Sequence, residues 1–123
     1  MKNILVVDDS PTMRRMVMAS LRDLNEVHFE QAGSGLEAIE RLALTPVHLV
    51  ILDLNMPDLH GLEVLQFVRQ QAVYRHLPVI VLTTRDDQAS QAAALAAGAS
   101  VYLTKPYEPQ TLARHVRQLL ELE

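Results

Sequence analysis

Cysteine is absent from the 123 residues, and so is tryptophan. Without cysteine there is no disulfide framework, no thiolate nucleophile and no cysteine metal site. A basic surplus is also lacking. Eleven Lys and Arg face 15 Asp and Glu, a net charge of −4. A large nucleic-acid footprint needs the opposite balance, so no direct nucleic-acid partner is expected. Long hydrophobic runs are missing too. The longest uncharged run of small apolar residues is Ala92 to Ala99, far below the ~20 residues of a membrane-spanning helix. After Met1-Lys2-Asn3 the apolar stretch covers only Ile4 to Val7 before two aspartates, too short for a signal peptide. The expected location is the cytoplasm, with no membrane partner. What is present is ordinary globular material: 49% hydrophobic and 21% charged residues, enough for one core at this length. One domain over residues 1–123 is expected.

The chain has a rough internal period. Five apolar runs, Ile4–Val7, Val27–Ala32, Leu49–Leu54, Val79–Thr83 and Ser100–Thr104, each precede a helical pattern. The first, third and fourth are nearly continuous Val, Ile and Leu, as in parallel strands covered on both faces. In the second, Val27, Phe29 and Gln31 alternate with His28, Glu30 and Ala32. It reads as an edge strand with one wetter face.

Helix signals fill the gaps. Ser10-Pro11 is a cap and first-turn pair, followed by Met13, Met16, Val17, Leu21 and Leu24 at helical spacing. Ser34 with Glu37 forms a capping box. A turn at Pro57 and Gly61 precedes Leu62, Val64, Leu65 and Val68. Asp86 or Asp87 caps the fourth helix and Gly98 stops it. Pro109 opens the fifth, with Leu112, Val116, Leu119 and Leu120 facing inward. Right-handed crossovers turn five β-α units into one parallel sheet with helices on both faces, an α/β fold. Ligands in such sheets bind beyond the carboxyl ends of the strands.

Those ends carry a constellation. Strand one ends in Asp8-Asp9 and strand three in Asp53, with Asn55 two residues on. Strand four ends in Thr83 and strand five in Lys105-Pro106. An Asp pair alone reads as a solvated turn, and a threonine alone as a good strand residue. Convergence of three carboxylates, a hydroxyl and an ammonium on one edge is what those readings leave unexplained.

Asp8-Asp9, Asp53 within Leu52-Asp53-Leu54-Asn55-Met56-Pro57, Thr83, Tyr102 and Lys105-Pro106 together resemble the CheY-like receiver domain of two-component response regulators, over essentially the whole chain. The resemblance implies a flavodoxin-like (βα)5 sheet in the order 2-1-3-4-5. It implies a phosphorylatable signalling protein rather than an enzyme acting on separate substrates. Asp53 would be the phosphoacceptor, taking a phosphoryl group from a histidine kinase or phosphotransfer protein. Asp9, Asp53 and the Asn55 backbone carbonyl would ligate Mg2+, with Asp8 acting through water and Mn2+ as a substitute. Such a cation prefers an octahedral oxygen shell and relieves repulsion among clustered carboxylates. Lys105 would balance the charge that arrives with the phosphoryl group. Thr83 and Tyr102 would form the switch, the threonine drawing its loop inward and Tyr102 turning in behind it. Lys105-Pro106 is a candidate cis peptide.

With no residues after the fifth helix to form an output domain, output is expected through another protein. The surface assigned to it is helix four, strand five and helix five: Gln88, Gln91, Leu95, Tyr102, Tyr107 and Arg114. A chemotaxis or motility target is favoured by the resemblance, and a phosphatase is a further partner it admits. The sequence departs from the family pattern at Thr84, larger than the usual Ala or Gly, and at Arg85 near the mouth of the site. His60 stands where a short polar cap is common, and Leu54 replaces the usual tryptophan.

Other readings remain open. The chain could be a receiver cut from a longer regulator, or a receiver-like interaction module that never carries phosphate. Gly33-Ser34-Gly35-Leu36-Glu37-Ala38 fits the dinucleotide fingerprint, with Gly33, Gly35 and Ala38 as its small residues and Asp53 further on. That fingerprint normally follows a central strand. A phosphatase of the haloacid dehalogenase type wants a second acid where Asn55 stands. The five histidines lack local metal-ligand spacing.

Overall fold

Unbroken Val, Ile and Leu runs can be buried only where both faces of a strand are covered. The computed structural model, which describes residues 1–56, 58 and 60–122, puts them there. Five parallel strands run in the order β2-β1-β3-β4-β5: β1 Lys2–Val7, β2 Val27–Ala32, β3 Leu49–Leu52, β4 Val79–Thr83 and β5 Val101–Thr104. The helices between and after them are α1 Pro11–Ser20, α2 Gly35–Leu44, α3 Gly61–Gln70, α4 Gln88–Ala96 and α5 Pro109–Leu120. A 3-10 turn spans Ala72–Tyr74. The turn expected at Pro57 lies outside the described residues.

Register sorts the three central strands into two cores. Leu5 pairs with Val50 and Val50 with Val79, so these side chains share a face. With Val7, Leu52 and Val81 they pack against Ala38 and Leu42 of α2 and Val64, Leu65 and Val68 of α3. Ile4, Val6, Leu49, Ile51, Ile80 and Leu82 face the other way, onto Val17, Leu21, Leu112, Val116 and Leu120 of the α1–α5 layer. Full burial of such a side chain contributes about 1.5–3 kcal/mol, so both layers hold the three strand ends firmly.

Several boundaries differ from the sequence reading. β3 stops at Leu52, although Leu54 remains buried. Met16 is 52% exposed, because the inward stripe of α1 runs through Val17 and Leu21, one position round the helix. β2 is an edge strand whose alternation is unbroken, but the drier face changes at its end. Ala32 is buried with the α2 side and Gln31 is exposed. Ser10 Oγ accepts from Met13 N and Ser34 Oγ from Glu37 N, so both caps form. Asp87 is the cap of α4, accepting from Ser90 N.

α4 is anchored differently from the others. Ala94 is its only fully buried residue, since QASQAAALA offers little else to bury. Its far end is held instead by Arg69, whose Nε and Nη2 donate to the Gly98 carbonyl at 3.2 and 2.7 Å. Gly98 has φ +107°, the left-handed region where glycine carries no Cβ penalty. Gly61 matters for a different reason. A Cβ there would lie 2.4 Å from the Asp53 carbonyl oxygen. Only a glycine lets α3 start so close behind the end of β3.

Candidate functional site

Backbone hydrogen bonds carry the sheet one residue past its strands and so fix the side chains beyond them. Asp8 N donates to Ala32 O, Asp53 N to Val7 O, and Lys105 N to Thr83 O. Asp8 and Asp53 are therefore buried, at 4% and 6% exposure, and Thr83 is fully buried, while Asp9 is exposed. One carboxylate oxygen from each of Asp8, Asp9 and Asp53 lies within 4.8 Å of the others.

Lys105 reaches into this cluster. Its Nζ is 2.8 Å from Asp8 Oδ2 and 3.5 Å from Asp53 Oδ2, with the side chain only 11% exposed. The Lys105–Pro106 peptide bond is cis. The other Asp8 oxygen accepts from Ser10 N at 2.9 Å, and Arg14 Nη1 donates to the Asp8 carbonyl at 2.6 Å. Asp53 Oδ1 accepts from Asn55 N at 3.1 Å. Burial pushes the Asp53 carboxyl above its ordinary value, and the Asp8 charge adds to this. The Asn55 amide, Lys105 and the Thr83 hydroxyl pull it back without cancelling the rise. Two buried carboxylates sharing one ammonium form an electron-rich pocket that a hard cation would neutralise. The donor set is all oxygen, and Asp9 faces solvent, so a partly hydrated Mg2+ or Mn2+ fits it. Asp8, Asp9 and Asp53 would be the side chains available to hold it.

The lip of the site is built by residues whose contacts the sequence did not reveal. Asn55 Nδ2 donates to Thr84 Oγ1 at 3.1 Å, and Arg85 Nε donates to Asn55 Oδ1 at 2.5 Å. Arg85 N points at Thr83 Oγ1, at 3.4 Å, and Tyr102 Oη donates to the Arg85 carbonyl at 2.6 Å. Thr83 and Tyr102 thus both touch the connection between β4 and α4. Charge alone marked Arg85 in the sequence; its partner is set by how the loops meet.

The residues assigned to an output surface do not all share one face. Gln88, Gln91 and Leu95 are exposed on α4, and Arg114 is exposed on α5. Tyr107 belongs elsewhere. It packs in the α1–α5 layer with its hydroxyl 2.9 Å from Ser20 Oγ on α1, because the chain after β5 turns toward α1 before α5 begins. His60 precedes α3 without a side-chain cap bond.

The glycine motif before α2 has its own occupant. The N–H groups of Gly35 and Leu36 donate to the Asp58 carboxylate at 3.1 and 3.2 Å. Amides that would cradle a cofactor phosphate are already engaged, and the motif follows an edge strand. The dinucleotide reading has no support in this geometry.

Comparison with known proteins places the chain in a family. Residues 4–117 match the response regulator receiver domain family. Chemotaxis protein CheY1 of Helicobacter pylori is 37% identical over 118 residues, 95% of each chain. The solved chemotaxis response regulator CheY4 of Vibrio cholerae superposes with a TM-score of 0.88 at 34% identity, covering 98% of this chain and 99% of that one. The Mn2+-bound form of response regulator Rcp1 superposes at 0.83 with 30% identity, covering 97% and 91%. The chain belongs to the response regulator receiver domain family, the signalling domain of two-component systems.

Proposed function

We propose that this receiver domain, spanning residues 1–123, is a phosphorylatable response regulator whose acceptor is Asp53. The observation that carries the reading is the buried Asp53 carboxylate, 3.5 Å from Lys105 Nζ and grouped with Asp8 and Asp9. An oxygen of Asp53 attacks the phosphorus of a phosphohistidine on a histidine kinase or phosphotransfer protein. The new bond is P–O and the broken bond is P–N; the departing imidazole nitrogen keeps the electron pair and takes up a proton. A bound Mg2+, held by Asp9, Asp53 and the Asn55 carbonyl with Asp8 through water, would offset charge on the phosphoryl oxygens.

Lys105 leans on Asp8 in the present arrangement and is close enough to Asp53 to follow the incoming charge. The Thr83 hydroxyl, buried beside Asp53, supplies the donor that draws the β4–α4 connection inward. Tyr102 senses that movement through the Arg85 carbonyl. The switched surface is the exposed side of α4 with β5 and α5, through Gln88, Gln91, Leu95, Tyr102 and Arg114. The output is a protein contact, and the chemotaxis proteins among the relatives favour a motility target. No described helix is long and apolar enough to cross a membrane. The proposed site of action is the cytoplasm. The test is intact mass after incubation with Mg2+ and a small phosphoryl donor. One phosphoryl group should add to the wild type and none to Asp53→Asn; undiminished labelling of that variant would remove Asp53 from the role.

A further inference from the structure

The carboxylate of Asp58 meets the start of α2. It accepts from Gly35 N at 3.1 Å and Leu36 N at 3.2 Å. Both donors belong to the first turn of a helix, where N–H groups lack intrahelical partners and a negative charge meets the positive end of the dipole. Ser34 caps the same turn from within, accepting from Glu37 N at 3.1 Å. α2 therefore already has a local cap. What Asp58 adds is a tie between two separate parts of the chain, 22 and 23 residues apart.

Asp58 lies five residues beyond Asp53 and three beyond Asn55. The same connection is held on its opposite side by the Asn55 side chain, bonded to Thr84 and Arg85. At its far end Gly61 N donates to Leu54 O at 3.2 Å, and Met56 is buried against the α2–α3 core. The acceptor connection is thus strung between α2 and the β4–α4 connection.

We propose that Asp58 is a positioning residue: by bonding the first turn of α2 it fixes the β3–α3 connection in the placement that divalent-cation binding requires. The inference rests on the function proposed above, since it concerns the cation that function uses. Asp58 acts through the backbone it anchors. Groups that orient metal ligands without touching the metal typically change affinity by at least about tenfold.

The test is calorimetric titration of Mg2+ into the full chain, comparing wild type with Asp58→Ala, Asp58→Asn, Ser34→Ala and Glu37→Gln. Asp58→Ala should weaken binding roughly tenfold. Asp58→Asn keeps one acceptor oxygen without the charge and should fall between the two, and it carries the test if the alanine variant does not fold. Ser34→Ala removes a cap from the same helix but no tie to the acceptor connection. It should lower the melting temperature and leave Mg2+ affinity unchanged. Glu37→Gln removes a nearby negative charge and should also leave affinity unchanged. Wild-type affinity in both Asp58 variants would overturn the proposal, as would equal weakening in Ser34→Ala or Glu37→Gln. A wild-type chain that binds no Mg2+ would overturn the proposed function itself, and this inference with it.

Discussion

Arg85 and Asn55 close the gap between two loops that no sequence pattern pairs: the guanidinium Nε donates to the amide oxygen at 2.5 Å beside the carboxylate cluster. Asn55 donates in turn to Thr84. The side chain two residues after Asp53 is therefore held by both residues that follow Thr83.

Water attacking an acyl phosphate on Asp53 must approach in line, opposite the Asp53 oxygen. The Asn55–Thr84–Arg85 group narrows that approach, so slow self-dephosphorylation is expected. After phosphorylation and removal of the donor, Thr84→Ala and Arg85→Ala should both decay faster than wild type. Each tenfold increase corresponds to about 1.4 kcal/mol off the hydrolysis barrier. Decay of both variants at the wild-type rate would mean that this lip does not control access.

Among the described residues, Lys105 is the one ammonium paired with the cluster. Lys105→Met keeps length and loses charge. The fold should persist, because the strand cores do not depend on this side chain. Phosphorylation of Asp53 should slow roughly 100-fold or more, the usual effect of deleting a donor aimed at developing charge, and the switch should fail. Mass spectrometry gives the rate, and Tyr102 ring resonances report the switch. Normal behaviour on both readouts would refute the role given to Lys105.

The two aspartates after β1 should respond differently to substitution. Asp9 is exposed, whereas Asp8 is buried on Lys105 and Ser10 N. Asp9→Ala should weaken Mg2+ more than Asp8→Ala, while Asp8→Ala should cost more stability without metal. Mg2+ should raise the melting temperature of the wild type, because a ligand that prefers the folded state stabilises it. A flat melting temperature across a wide Mg2+ titration would count against the site.

At the opposite end of the sheet, Asn3 N donates to His48 Nδ1 at 2.9 Å, and His48 N donates to Asn3 O at 2.8 Å. An accepting Nδ1 requires the neutral ring. Burial, then Lys2 and the N-terminal ammonium, hold this imidazole below its usual 6.5. The unfolded chain thus takes up the proton first. His48 contributes stability above the unfolded value and loses it as pH falls through the lower folded value. His48→Asn keeps an acceptor near Nδ1 without titrating. Its melting temperature should fall less steeply than wild type as pH drops from about 6.5. Parallel curves would show that another group sets the acid limit.

Strand identity was legible because Val and Ile runs such as Val79–Thr83 have only one comfortable environment, and β4 matches that run residue for residue. The clustering of Asp8, Asp53 and Lys105 was legible because each follows a strand of one parallel sheet. Contacts between loops were not. Asp58 on α2 and Arg85 on Asn55 depend on how two irregular segments pass each other, which no periodicity encodes. Tyr107 was misplaced for a related reason. Three residues after a strand, the direction of a side chain follows the local turn rather than the alternation of the strand.

The thin anchoring of α4 has a consequence for how such a protein diversifies. Exposed substitutions away from packed features usually change stability by less than about 0.5 kcal/mol. Gln88, Gln91 and Leu95 sit on a helix whose one buried residue is Ala94, so they are close to neutral for the fold. On the output surface proposed above, partner choice can drift at these positions while the chemistry proposed for Asp53, locked into the strand ends, stays as it is. Duplicated copies of the gene could then acquire separate targets without first acquiring extra stability.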